Sequence, residues 1–350
     1  MVGLPKLRNN GGTFLFCTGK LEIRSPITHY ADVNVMLNLK NQLLAVLIVS
    51  VTVSLQVRLY ASSGFYNCGW EPCSNDCRAN RRCSRCESGP KTLFNWNFCG
   101  CKSTQANGHR NEPLVTDRPD FTEASSTVGR GRIQLEMGYT YTYDTQDGSQ
   151  VVSHSYPEPL LRMGLLAEWL ELRVAWNYLN ERTTSRSEST NLSGSKDLYL
   201  GFKIALTEQC GILPEMAIMP QMTVPTAGSA FTENETLPGI NWLYSWELSE
   251  NVALGGSTQG NQAIDDSGAD FLELAQSLTV GVGLTEQLGS YFEWYAFFPH
   301  SAEVALPEHY LNGGFTWLAH DNLQYDVRVG AGLNDNADDY FLGTGISFRY

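Results

Sequence analysis

The chain has 350 residues, 42% of them apolar and 11% aromatic, enough for one large domain or two modest ones and too apolar for a chain disordered throughout. Its formal net charge is -13 and its pI is near 4.9, so it lacks the Lys and Arg surplus that neutralises phosphates, and nucleic acid is set aside as a partner. The only continuous apolar run, Leu43 to Leu55, is shorter than the roughly 20 residues of a membrane-spanning helix.

Residues 1 to 35 show no sustained periodicity. Met36 begins a short segment with one positive charge and is a candidate true start, the apolar run follows, and Ala61 and Ser63 are the small residues expected before a cleavage site after Ser63. Residues 1–63 thus read as leader and signal peptide, and the chain as exported; Arg58, near the end of the core, keeps an uncleaved anchor open.

Residues 64–115 form a Cys-rich periplasmic segment and linker. Cys68, Cys73, Cys77, Cys83, Cys86, Cys99 and Cys101 lie among Asn, Arg, Ser and Gly with little to form a core. An oxidising compartment favours disulfides, although Cys83 and Cys86 have the C-x2-C spacing of zinc ligands. Seven is odd; Cys17 leaves with the leader, so Cys210 is the remaining candidate partner. Pairing it with the segment would tie that segment to the barrel described next.

From Arg132 to Tyr143, Ile133, Leu135, Met137, Tyr139, Tyr141 and Tyr143 alternate with Gln134, Glu136, Gly138, Thr140 and Thr142. Period two is a strand with one wet face, and its apolar row ends in tyrosines suited to a membrane interface. Just before it stands Thr116-Asp117-Arg118-Pro119-Asp120-Phe121-Thr122-Glu123. This opening, followed by a glycine-containing turn and a Q-x-E-x-G-Y strand (Gln134, Glu136, Gly138, Tyr139), resembles a bacterial outer-membrane barrel family described as phenol-degradation (MetA-pathway) or transporter-like proteins. The resemblance covers Thr116 to Tyr350, excludes the cysteine segment, and implies a fold and a location more firmly than a substrate.

Further every-other-residue rows run from Leu161 to Leu165, Leu170 to Tyr178, Leu198 to Leu206, Met216 to Val224 (interrupted by Pro220), Ile240 to Leu248, Val252 to Leu254, Leu272 to Leu284, Phe292 to Phe298, Phe315 to Ala319, Leu323 to Leu333 and Leu342 to Tyr350. Together they predict an all-β fold: an antiparallel up-and-down transmembrane barrel of about 12 strands over 116–350. Connections alternate between short ones and longer polar ones (Asp144 to Gln150, Glu181 to Ser195, Pro225 to Thr236, Gly260 to Ala269, Pro299 to Pro307, Asn334 to Asp339), which places both chain ends at the tight, periplasmic rim. Ile346, Phe348 and Tyr350 resemble the terminal signal read by barrel-assembly machinery, making that machinery and outer-membrane lipid the expected partners. An exported soluble β protein is the alternative.

The second row of the strands carries Glu136, Arg162, Glu171, Arg173, Lys203, Glu247, Glu293, Asp326, Arg328 and Arg349, assigned to the lumen because charges facing hydrocarbon cost several kcal/mol. Either they line a solute path or they fill the core by pairing. Asp117, Arg118, Asp120 and Glu123 suggest that Thr116–Glu123 folds into the periplasmic mouth as a plug, held by ion pairs to Arg162 or Arg173; an exposed linker is the alternative. An outer-membrane lipase would need a Ser and a His within reach of each other, and in Ser153-His154-Ser155 the histidine shares a strand side with neither serine. No metal-ligand His pair and no phosphate-binding glycine loop stands out, so no cofactor, metal or enzymatic activity is expected. The expected function is a channel or transporter-like barrel passing small, apolar or aromatic solutes, with a non-conducting structural barrel as the rival.

Overall fold

A computed structural model describes residues 91–94 and 112–350, apart from positions 147, 187 and 266. Residues 1–63, expected from the sequence to be a leader, and all the cysteines but Cys210 lie outside the described residues.

Fifteen strand segments follow one another: β1 (Ile133–Gln146), β2 (Ser149–Tyr156), β3 (Leu160–Gly164), β4 (Leu170–Ala175), β5 (Tyr178–Ser185), β6 (Glu188–Ser195), β7 (Leu198–Thr207), β8 (Glu215–Val224), β9 (Leu237–Ser249), β10 (Val252–Ile264), β11 (Asp270–Gly283), β12 (Leu288–His300), β13 (Glu308–His320), β14 (Leu323–Gly332) and β15 (Tyr340–Arg349). All pair antiparallel, and β15 returns to β1, with Gln134 opposite Arg349 and Tyr143 opposite Tyr340, so the sheet closes on itself. Closure leaves no unpaired edge in the ring that runs from β1 through β3, β4 and β7 to β15, the condition for strands to cross a membrane, while β6, beyond that ring, ends the sheet order beside β5.

Fifteen segments make twelve wall strands, because β2 with β3, β4 with β5, and β6 with β7 are each one strand broken in the middle. The lower part of β1 pairs with β3 and its upper part with β2. The breaks fall at Pro157–Pro159, at Trp176-Asn177 and at Lys196-Asp197. Proline removes ladder donors, which accounts for the first; its gap is bridged by the Gly138 N–H donating to the Pro157 carbonyl at 2.6 Å.

Period two sorts the residues as expected. Outward rows are apolar and exposed, including Ile240 and Trp242 on β9, Leu272, Leu274, Leu278 and Val280 on β11, Phe292 and Phe298 on β12, and Val327 and Val329 on β14. Lipid is the medium in which such a surface is stable. Inward rows are mostly polar, small or aromatic, with aliphatics such as Leu179, Met219 and Leu243 among them.

Two predicted long connections are corrected. Asp144 to Gln150 and Glu181 to Ser195 belong mostly to strands: β1 runs to Gln146 and β2 starts at Ser149, while β5 and β6 pair from Tyr178 opposite Ser195 to Ser185 opposite Glu188. Ser, Thr and Asn read as loop, yet such residues sit well in hairpin arms that face water. The links from Val224 to Leu237, Ile264 to Asp270, His300 to Glu308 and Gly332 to Tyr340 are longer, and all lie on the rim opposite the chain terminus.

Candidate functional site

The interior holds a segment that is not part of the wall. Residues 115–128 run inside the barrel before β1 begins, and take partners from β1, β3, β4, β7, β8, β9, β11, β12 and β14, that is, from most of the circumference. The Q-x-E-x-G part of the first strand is the surface that receives it. Gln134 Nε2 donates to the Val115 carbonyl at 2.9 Å, and the Glu136 carboxylate accepts the backbone N–H groups of Asp117 and Arg118, each at 3.1 Å. Gly138 supplies room: it faces Gly345 across the β1–β15 pair, and a Cβ at either position would stand 2.3 Å from an Arg118 guanidinium atom. Tyr139, the last residue of the motif, points outward, where its hydroxyl meets His154 Nδ1 at 2.8 Å.

One side of the lumen is ionic. Asp117 lies among three cations, with Lys203 Nζ donating at 2.8 Å, Arg162 Nε at 3.3 Å, and Arg173 in direct contact. Arg162 also donates to Glu171 at 2.8 Å and to Glu136 at 3.1 Å, and Arg173 reaches Glu171 and Glu123. Every one of these side chains is at least 95% buried. Burial alone would raise the Asp117 pKa, but Arg162, Arg173 and Lys203 overcome it and hold the carboxyl far below the usual carboxylate range. A second group centres on Arg118, which donates to Glu158 at 3.0 Å and to Asp326 at 3.3 Å. Glu158 has φ 48°, a left-handed turn between two prolines, and it is buried against Arg118.

The other side is aromatic. Glu293 accepts the Phe121 and Thr122 backbone N–H groups, both at 2.6 Å, and also the Asn312 amide at 2.7 Å. Above it on the same face of β12 stand Tyr295 and Phe297, joined by Phe271 from β11, Tyr310 from β13 and Phe341 from β15, with Phe121 among them. Asp120, beside Phe121, has its pKa raised by burial and then by the nearby Glu293 charge; burial likewise raises Glu123, although Arg173 opposes it.

Of the residues assigned to the lumen by sequence, Glu136, Arg162, Glu171, Arg173, Lys203, Glu293, Asp326 and Arg328 are buried and inward. Glu247 is corrected: it is exposed at the end of β9, where its backbone exchanges hydrogen bonds with Gln209. Parity chose the right row, but the residue lies too near the rim to reach the lumen. Arg349 is likewise at that rim, bonded to Asn322 and to the Glu112 carbonyl. Asp117, Arg118, Asp120 and Glu123 all lie within the segment inside the barrel. Sequence reasoning missed Gln134, Glu158, Asn312 and the inward aromatics. Ser153 and Ser155 face inward and His154 faces outward, so that triplet assembles no Ser–His pair. Cys210, just after β7, is disulfide-bonded, and its partner lies outside the described residues; Cys68, Cys73, Cys77, Cys83, Cys86, Cys99 and Cys101 lie there too. The terminus closes the barrel through the Tyr350 N–H donating to Ile133 at 2.8 Å, with Phe348 edge-on to Tyr350.

Residues 116–350 match the family described as "Putative MetA-pathway of phenol degradation". The chain belongs to this family. No curated relative matches it. Among solved structures it is similar to an outer membrane channel from Pseudomonas putida F1, at 14% identity over 67% of this chain and 100% of that one, with a TM-score of 0.53. It is more distantly similar to the NanC porin (11% identity, 62% and 98% covered, TM-score 0.38) and to the translocator domain of the NalP autotransporter from Neisseria meningitidis (8%, 63% and 89%, 0.45). At these identities the likeness concerns the barrel fold, and the channel alone carries weight.

Proposed function

We propose that this family member is a bacterial outer-membrane channel that passes small apolar or aromatic solutes, drawn in an occluded state in which Thr116–Glu123 is the plug. The observation that carries the reading is the row of rings on the inner wall, Phe271, Tyr295, Phe297, Tyr310 and Phe341. An inward ring forgoes the hydrogen bonds that water and ions seek, whereas a solute with an apolar face gains from it. Export through the leader, assembly through the Tyr350 terminus, and a lipid-facing outer surface complete the proposal. The buried, paired charges on the opposite wall support a closed gate better than an open ionic path, because removing one partner from such a network is costly. The Pseudomonas putida channel, which has the same fold, points the same way.

Purified protein reconstituted in liposomes tests the reading. Uptake of small aromatic solutes faster than of sugars of similar mass is expected. A barrel that inserts, resists heat on a gel and admits neither is a structural barrel, and the proposal fails.

A further inference from the structure

The ring stack on the inner wall contains one member that does not belong to the wall. Phe121 lies flat on Tyr295, with ring centroids 4.6 Å apart and planes 9° from parallel, and edge-on to Phe297 at 5.4 Å. Tyr295 in turn stacks on Tyr310 at 4.8 Å and 13°. Tyr295, Phe297 and Tyr310 are fixed by strand pairing, whereas Phe121 is carried by the inner segment, and its departure breaks no strand-to-strand hydrogen bond. Phe121 is 6% exposed, so the slot its ring takes is closed to solvent while the segment is docked. Directly beneath, Glu293 holds the N–H groups of Phe121 and Thr122. The same strand face therefore grips both the ring and the backbone of one residue.

We infer that Phe121 is a built-in substitute for a solute: the face of Tyr295 and the edge of Phe297 form a subsite for a planar aromatic ring, and a solute that takes this subsite displaces Phe121 and frees the plug. The inference rests on the proposed function, since it names the solute chemistry and couples it to opening. Stacked and edge-to-face rings favour a flat ring beyond the apolar area they bury, so a saturated ring of the same size competes poorly. Competition is reciprocal: whatever fraction of time Phe121 occupies the slot lowers the apparent affinity for the solute by that fraction, and the solute lowers the stability of the plugged state in return.

Benzyl alcohol, a water-soluble analogue of the phenylalanine side chain, and cyclohexylmethanol, its saturated counterpart, are the probes. Hydrogen exchange over residues 116–128 is measured in the full chain, together with binding of each alcohol to the intact protein, Phe121→Ala and Phe121→Leu. Benzyl alcohol is expected to speed exchange at Phe121 and Thr122 with saturation, while cyclohexylmethanol leaves it unchanged. Phe121→Ala is expected to bind benzyl alcohol at least about tenfold more tightly than the intact protein, as follows when a binding-competent state populated at about 10% or less becomes the resting one. Phe121→Leu keeps apolar bulk without a flat face, and its affinity falls between. Variants are compared only after migrating as heat-resistant barrels; if Phe121→Ala does not, Phe121→Leu and the exchange experiment on the intact protein carry the test. Equal effects of both alcohols, or a Phe121 variant that binds benzyl alcohol no more tightly, overturn the inference. Neither readout uses conductance, so a barrel that releases its plug to benzyl alcohol yet passes nothing keeps the inference and sinks the channel reading; a conducting barrel whose plug ignores the alcohol does the reverse.

Discussion

On the β1–β3–β4–β7 side of the lumen the inner segment meets three cations and the carboxylates of Glu136 and Glu171, all buried, whereas on the β11–β13 side it meets rings and the carboxylate of Glu293. The difference is one of reversibility. Breaking a buried charge pair by removing one partner costs about 3–5 kcal/mol, because the other charge is left unpaired in a poor dielectric. Replacing one ring by another on a stack costs little, because shape and polarity are conserved. We propose that the ionic wall is the hinge side of the plug and the aromatic wall its releasable side.

The largest expected effect comes from breaking the ionic side. Asp117→Asn leaves Arg162, Arg173 and Lys203 with one fewer anion, and plug docking should weaken by about 3–5 kcal/mol, read as faster hydrogen exchange over 116–128 and a higher conductance. Retention of the wild-type values would show that the network is not what holds the segment. Glu293→Gln sharpens the comparison from the other wall: it keeps the shape and removes the charge from two short hydrogen bonds, each worth about 1.5–3 kcal/mol when charged, so exchange should rise at Phe121 and Thr122 and less at Asp117. A uniform rise along the segment would mean that the two walls act as one.

A smaller effect is expected from pH. Asp120 has a raised pKa, from burial and the Glu293 charge, so the docked state holds its proton more tightly than the free segment does. Docking is therefore favoured in acid and weakens as pH climbs from the ordinary carboxylate range, about 4, through the raised value. Asp117 runs the other way: its lowered pKa gives a contribution that is complete above the ordinary range and lost only in strong acid. Conductance should rise with pH above about 4, and Asp120→Asn should flatten that rise; a rise of the same size in the variant would assign the dependence to another group. The smallest effect on the lumen is expected from reduction of Cys210. We propose that it joins a cysteine between Cys68 and Cys101, closing a loop of more than 100 residues that contributes up to about 4–5 kcal/mol to folding stability in the chain-entropy model. Non-reducing peptide mapping should recover Cys210 cross-linked to that segment, with conductance unchanged on reduction; a Cys210 peptide bridged to nothing contradicts the tether.

The two walls were not equally legible in the sequence. The ionic wall was, because a charge in one row of an otherwise apolar alternating strand has a single stable direction, and Arg162, Glu171, Arg173 and Lys203 all follow it. The aromatic wall was hidden, because the row Phe292, Trp294 and Phe298 reads as the apolar, outward one, and the rings of the other row, Tyr295 and Phe297, do not stand apart from it. Rings in both rows of one strand were the available signal. The broken strands were hidden for another reason: Pro157 to Pro159 and Lys196-Asp197 look like loop, and only pairing across the sheet shows that the wall continues through them. The receiving role of Gln134 and Gly138 depended on contacts that span 19 residues or more and leave no local trace.

The central claim, that Thr116–Glu123 closes a lumen otherwise continuous, is tested most directly by single-channel conductance of the chain with those eight residues deleted. Deletion is expected to raise conductance severalfold, with the barrel still heat-resistant on a gel; a deleted barrel that folds and conducts no more than the intact protein contradicts it.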